Sequence, residues 1–371
     1  MIKNFSNFIS EKIDIDTNII WFEKSNKYII INDLLKNLVL NKIDSKKYPL
    51  SQFFSKINEL KSKNLKKIFN DIDLLLIECN TELINKKREE LSINDGKFPY
   101  HGKFKFNERV VKIEYSNKDL SNLVDPKFKH LKCDDNEQIV FKVKEKNKRI
   151  HLFKQDKFIG SWGVSEIHEF HGKISMELTS FFHNMQESEW TAVFHGSTLS
   201  KNNNCLMLTG ESGNGKSSLS TILMANNFSL IADDFSPMND KGIHYNFPSA
   251  ISIKEGFYNS AKNLFESFGE LKEYYINNIK GNVKYLPSNN NKLILYKKCN
   301  KVLNVKFGMD LKNEIKRVNK GKALEQILPD AWISKDLNHA KSFIDWVKSC
   351  LFYDLTYNDN DKMLKMIKDI F

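Results

Sequence analysis

Two short apolar runs open the pattern of the chain. Asn18-Ile19-Ile20-Trp21-Phe22 and Tyr28-Ile29-Ile30-Ile31 are separated by the polar Glu23-Lys24-Ser25-Asn26-Lys27, and β-rich segments joined by a short polar turn predict a hairpin. Leu34 to Leu40 then shows helical spacing. From Ser51 to Leu91, the apolar set Phe53, Phe54, Ile57 and Leu60, followed by Leu65, Ile68, Ile72, Leu75 and Leu76, fits a period of about 3.6 and predicts one or two amphipathic helices. A small accessory unit over residues 1–96 follows from this order.

From about Phe98 to Met185 the pattern becomes that of strands. Val110 to Tyr115, Ile139 to Val143 and Arg149 to Phe153 alternate or nearly so, with Lys144-Glu145-Lys146-Asn147-Lys148 as a solvated turn between the last two. From Trp190 onward strands and helices alternate, which predicts an α/β core. The second unit is therefore 97–371, with a β-rich part at 97–189 and the core at 190–371. No repeat of solenoid period and no low-complexity linker interrupts it.

Within the core, Cys205-Leu206-Met207-Leu208-Thr209 reads as a buried strand and Ser218 to Asn226 as a helix carrying Leu219, Ile222, Leu223 and Met224. Between them stands Gly210-Glu211-Ser212-Gly213-Asn214-Gly215-Lys216-Ser217, which meets G-x-x-x-x-G-K-[ST] at every fixed position. Glycines let backbone N–H groups turn inward and phosphate oxygens approach without a Cβ in the way. The helix that follows offers unsatisfied N–H groups and the positive end of its dipole, and Ser218 sits in its first turn. Lys216 adds charge on the terminal phosphates, and the Ser217 hydroxyl suits Mg²⁺.

Phe228-Ser229-Leu230-Ile231-Ala232 reads as the next strand and ends in Asp233-Asp234. One acid beside a phosphate loop can hold Mg²⁺ and the other can accept a proton from a hydroxyl. Neighbouring strand residues face opposite sides, so the two are not expected to share a task. Asp234 is assigned to the metal with Ser217, although the sequence leaves open which acid takes which role. Upstream, His195 sits at the end of a strand-like element expected to pair beside the phosphate loop.

Bulk properties change this picture little. The formal charge of +11 comes from 57 basic against 46 acidic residues, and only Arg88, Arg109, Arg149 and Arg317 are arginines. The lysines are spread along the chain, no basic tail forms, and no nucleic-acid reader module is present. Five scattered cysteines without a C-x-x-C pair argue against a disulfide framework or structural zinc. No signal core and no spanning apolar stretch is seen, so the cytoplasm is the expected compartment and no membrane contact is expected. His168, Glu169, His171 and His183 match no metal template and are read as structural.

The order His195-Gly196, then Gly210 to Ser217, then Leu230-Ile231-Ala232-Asp233-Asp234, with its spacings, resembles the HPr kinase/phosphorylase family over about Trp190 to Asp240. The resemblance implies a P-loop kinase core of the type shared with the ATP-dependent phosphoenolpyruvate carboxykinases, with ATP and Mg²⁺ as its requirements. It implies catalytic roles for His195, Lys216, Asp233 and Asp234, with His195 assisting the acid–base step. The hairpin-then-helix order of the N-terminal unit, helical or winged-helix in kind, is similar to the PqqD-like peptide-recognition domain. The chain departs from the HPr kinases in lacking arginine between Arg149 and Arg317. Phe247 to Gly256 fills the place of their arginine- and glycine-rich signature. There Lys254 offers a phosphate-binding cation and Glu255 a group near the metal, against the plainer reading of a surface pair.

HPr itself is therefore not the expected substrate. A kinase acting on serine in a protein or peptide leads, with a small molecule such as free serine next. A nucleotide-dependent binding or regulatory module with little catalysis is the reading from another class. A homo-oligomer is compatible with all of them.

Overall fold

The computed structural model describes residues 5, 7–49, 62–82, 96–277, 281–288 and 293–371. Strands β1 (Phe8–Asp14), β2 (Thr17–Phe22) and β3 (Lys27–Ile31) form an antiparallel sheet in that order. The predicted hairpin is β2–β3, in register from Asn18↔Ile31 to Phe22↔Lys27, and Asn26 takes the left-handed conformation its turn needs (φ +52°). β1 extends this hairpin by a strand that the sequence reading did not include. α1 (Asp33–Ile43) is capped by the Asn32 side chain, which accepts from the Leu35 N–H at 2.9 Å.

β2 is buried on both faces. Ile20 and Phe22 pack with Leu38, Val39, Ile72, Leu76 and Cys79 of α1 and α2 (Ser62–Cys79). Ile19 joins Ile13 in the core beneath the helices Lys320–Ile327 and Leu337–Ser349. The expected helical positions Phe53, Phe54, Ile57 and Leu60 lie outside the described residues.

A second sheet follows in sequential order: β4 (Tyr100–Phe106), β5 (Arg109–Tyr115), β6 (Ile139–Lys146), β7 (Arg149–Lys154) and β8 (Lys157–Gly163). Only β5 and β6 pair in parallel, joined across α3 (Lys118–Val124). Val111, Ile113, Tyr115, Phe141 and Val143 all point to one face, as period-2 alternation requires. They pack with Phe170, Ile174, Leu178 and Phe182 of α4 (Ile167–His183). The β6–β7 turn places Asn147 and Lys148 at φ +53° and +57°, the left-handed pair of a tight hairpin.

The remainder mixes strands and helices: β9 (Trp190–Phe194), β10 (Ser197–Lys201), β11 (Asn204–Thr209), α5 (Lys216–Ala225), β12 (Ser229–Ala232), β13 (Ser236–Asn239), β14 (Ile243–Tyr245) and β15 (Ile251–Lys254) come first. Then follow α6 (Tyr258–Leu264), β16 (Glu273–Asn277), β17 (Gly281–Leu286), β18 (Tyr296–Lys298), β19 (Lys301–Phe307) and β20 (Glu314–Arg317). α7 (Lys320–Ile327), β21 (Ala331–Ile333), α8 (Leu337–Ser349), β22 (Leu351–Tyr357) and α9 (Asn360–Ile370) complete the chain.

The main sheet has the order β12-β10-β11-β19-β22-β20, beside a second of order β18-β14-β13-β9-β21. In the main sheet β11, β19 and β22 run parallel. β12 runs with them, because β10 is antiparallel to both β11 and β12. The carboxyl ends of β12, β11, β19 and β22 therefore share one edge, where open α/β sheets bind ligands.

The core is built on both faces of this sheet. Leu206 and Leu208 of β11 pack with α5 and α9, whereas Cys205 and Met207 pack with α8 residues Phe343, Ile344 and Val347. Burial on both sides makes β11 a continuous apolar run. The molecule is thus a mixed α/β structure.

Candidate active site

The predicted strand, loop and helix are present as β11, residues 210–215 and α5. Gly210, Gly213 and Gly215 stand at φ +137°, +94° and +90°, conformations that a side chain would strain. At Gly210 a Cβ would also lie 2.7 Å from the Val305 carbonyl oxygen of the neighbouring strand. The loop hugs the sheet edge because these positions are bare. Glu211, Ser212 and Gly213 at its tip are exposed, while Asn214 to Ser218 are half-buried. The Lys216 ammonium donates to the carbonyls of Gly210 (2.6 Å) and Glu211 (3.2 Å). Burial is the main cause that lowers its pKa, and Lys254 pushes the same way; Asp234, Asp233 and Asp330 oppose the shift.

The strand beside β11 is β10, not the strand that carries His195. β9 leaves for the second sheet, and the chain crosses between the sheets at His195-Gly196. The physical reason is at Gly196, where a Cβ would lie 2.5 Å from the Leu208 carbonyl oxygen. Only glycine lets the turn pass this close over β11, and the turn sets His195 at the mouth of the site. Ser197, Thr198 and Ser200 of β10 are buried.

The two acids separate as the strand argument requires. Asp233 is 3% exposed. It accepts a short hydrogen bond from the Ser197 hydroxyl on one oxygen and faces the Ser217 hydroxyl at 3.4 Å on the other. Burial, and then the charge of Asp234, push its pKa up to about 6, against the pull of Ser197, Lys216 and Ser217. Asp234 sits at φ +66°, a left-handed conformation costing about 1–3 kcal/mol for a residue with a side chain. That reversal turns its carboxylate outward, where His195 Nδ1 lies 3.1 Å from Oδ1. The acid facing Ser217 is therefore Asp233, whereas Asp234 had been expected there.

A cavity of about 980 Å³ opens on the acid side of the loop. His195, Asp233 and Asp234 stand in its wall with Trp162 of β8, Gly172 of α4 and Trp332 of β21. His168, Glu169 and His171 also line it, which their local spacing did not reveal, whereas His183 is tied to the Asn246 carbonyl at 2.6 Å. No group of three or more metal-ligating side chains is found among the described residues. Lys254 ends β15 near enough for its charge to act on Lys216. Glu255 is exposed in the following turn and acts electrostatically on Tyr258. Sequence reasoning missed Ser197 and Asp330, whose relation to the site depends on the sheet crossing and on a turn more than a hundred residues away.

No protein-family model matches the chain, and no curated protein matches it. Among solved structures, the Hpr(Ser) kinase/phosphatase from Coxiella burnetii is similar, with 12% identity and a TM-score of 0.23. The match covers 48% of this chain and 93% of that one, and it is too loose to fix the path of the backbone. No helix among the described residues is long and apolar enough to cross a membrane.

Proposed function

We propose that the chain is an ATP- and Mg²⁺-dependent phosphotransferase that moves the γ-phosphoryl group to a hydroxyl acceptor, with a P-loop kinase core at 190–371. The observation that carries this reading is Asp233, a buried carboxylate held between the Ser197 and Ser217 hydroxyls at the foot of the phosphate loop. A charge placed where burial disfavours it fits a site that gains a cation. Two hard oxygen donors, the Asp233 carboxylate and the Ser217 hydroxyl, suit Mg²⁺. Bound there, the ion would offset charge on the phosphates. We therefore give the metal-side role to Asp233 rather than to Asp234.

Loop N–H groups from Gly210 to Ser218 and the Lys216 ammonium bind the phosphates, Lys216 exchanging its carbonyl partners for phosphate oxygens. The acceptor oxygen attacks the γ-phosphorus, the bond to the β-bridging oxygen breaks, and the nucleoside diphosphate leaves. The acceptor proton passes to the Asp234–His195 pair, which faces the cavity. Lys254 adds positive potential from β15, and Glu255 has no part beyond the surface.

Serine of a protein or peptide is the leading acceptor, with residues 1–96 as an accessory, PqqD-like unit that presents it. The concave cavity beside the acids favours as second reading a small alcohol such as free serine. The test is transfer of label from γ-labelled ATP in the presence of Mg²⁺ and source lysate. Label on a discrete protein, peptide or metabolite with wild type, absent with Lys216→Ala and Asp233→Asn, supports the kinase. Lys216-dependent ATP binding without transfer under any condition replaces it by a nucleotide-dependent binding module.

A further inference from the structure

The phosphate loop stands between two flanks of one sheet edge. On one side, across β10, lies β12 with Asp233 and Asp234 at its carboxyl end. On the other lies β19, whose carboxyl end is Phe307. A phosphoryl group about to transfer must lie beside the acids. A triphosphate is a linear chain, so its nucleoside leaves the loop on the flank away from them. That flank carries two of the large apolar side chains that the fold leaves in solvent: Phe307 is 45% exposed and Met309 77% exposed.

Two connections fix this flank to the loop. The Phe307 N–H donates to the Asn214 carbonyl at 3.2 Å. A Cβ on Gly215 would lie 3.3 Å from the Phe307 Cβ, so the aromatic residue sits directly against the loop. The ring also packs on Tyr357 at the end of β22, with centroids 5.2 Å apart. The segment that carries Met309 is pinned in turn. The Gly308 N–H donates to the Tyr357 carbonyl at 3.2 Å, and the Asn358 amide donates to the Met309 carbonyl at 3.2 Å. Exposed apolar groups on a pinned ledge do not serve the core, and they adjoin a site built for anions. An aromatic ring with a polarizable thioether beside it suits the face of a heteroaromatic base.

We propose that Phe307 and Met309 form the nucleobase subsite of the phosphate loop, Phe307 stacking on the base and Met309 covering its edge. The inference rests on the loop binding a nucleoside triphosphate. Stacking on a single aromatic side chain reads the π-face of a base, so the ledge sets nucleotide over bare polyphosphate more than one base over another.

Calorimetry with Mg²⁺ against ATP and against inorganic tripolyphosphate tests it on the full-length protein. Phe307→Ala is expected to weaken ATP by roughly tenfold and to leave tripolyphosphate unchanged. Met309→Ala, at a position too exposed to endanger folding, is expected to weaken ATP by a smaller factor with the same selectivity. Lys216→Ala weakens both ligands. If ATP binds through Lys216 and both ledge variants keep the wild-type ratio of ATP to tripolyphosphate affinity, the ledge is not the base site. If wild type binds neither ligand, the phosphate-loop reading falls and the ledge with it.

Discussion

Asp233 is held where its charge is disfavoured, and that gives the protein a pH signature. Its folded pKa of about 6 lies above the ordinary 3.8. The folded state therefore keeps the proton to higher pH than the unfolded chain does. Stability from this group is full below about 3.8, falls between about 3.8 and 6, and stays reduced above, by about 3 kcal/mol. Asp233→Asn removes the buried charge, so its advantage over wild type should grow between pH 4 and 6 and then level off. Urea melts at pH 4.5 and 7.5 measure it, and an equal difference at both would refute the argument. The same variant should lose roughly a hundredfold or more in transfer. Ser197 acts in the opposite sense: its hydrogen bond lowers the Asp233 pKa. Ser197→Ala should therefore move the acid limb of a kcat/KM profile to higher pH, and an unmoved limb would separate Asp233 from the rate.

At the scale of elements, the turn at Gly196 decides which strand carries which residue. Gly196→Ala places a Cβ 2.5 Å from the Leu208 carbonyl oxygen, and backbone cannot rotate away as a side chain can. We expect a loss of about 1–3 kcal/mol and a weaker response of activity to His195, both readable from thermal melts and from a His195→Ala comparison in each background. A melting temperature equal to that of wild type would mean that the two strands have room to separate.

This turn also marks where sequence and structure diverge. The loop was legible because its requirements are local: three glycines at positive φ, a lysine and a serine within eight residues. β11 was legible because a strand buried on both faces is apolar throughout. β10 was not, because Ser197, Thr198 and Ser200 are polar yet buried. The Thr198 hydroxyl is 2.5 Å from Ser236 of β13, which is in turn 2.9 Å from His244 of β14, and the Ser197 hydroxyl donates to Asp233. Local pattern cannot register polar satisfaction supplied from distant strands. β1 escaped for a related reason, since four of its seven residues are polar and its burial comes from α8 and the hairpin.

The whole molecule makes the cavity. Its walls come from the β4–β8 layer with α4, from the β12 edge and from the turn before β21, segments that no spacing rule connects. If the acceptor enters there, acceptor and nucleotide sites are separable by mutation. Gly172 lies on α4 in the cavity wall, and a Cβ built on it meets nothing within 4 Å. A helical glycine is about 0.5–1 kcal/mol worse than alanine, and phenylalanine recovers part of that difference, so Gly172→Phe should fold about as well as wild type while its ring fills the cavity. The expected result is unchanged ATP affinity with transfer reduced at least tenfold, seen by calorimetry and label transfer on one preparation. Transfer at the wild-type rate would show that the acceptor does not pass through this cavity. It would then have to reach Asp234 and His195 from the exposed side of the loop, a route open to a folded protein surface. Loss of ATP affinity as well would mean that the cavity and the phosphate loop are parts of one binding site.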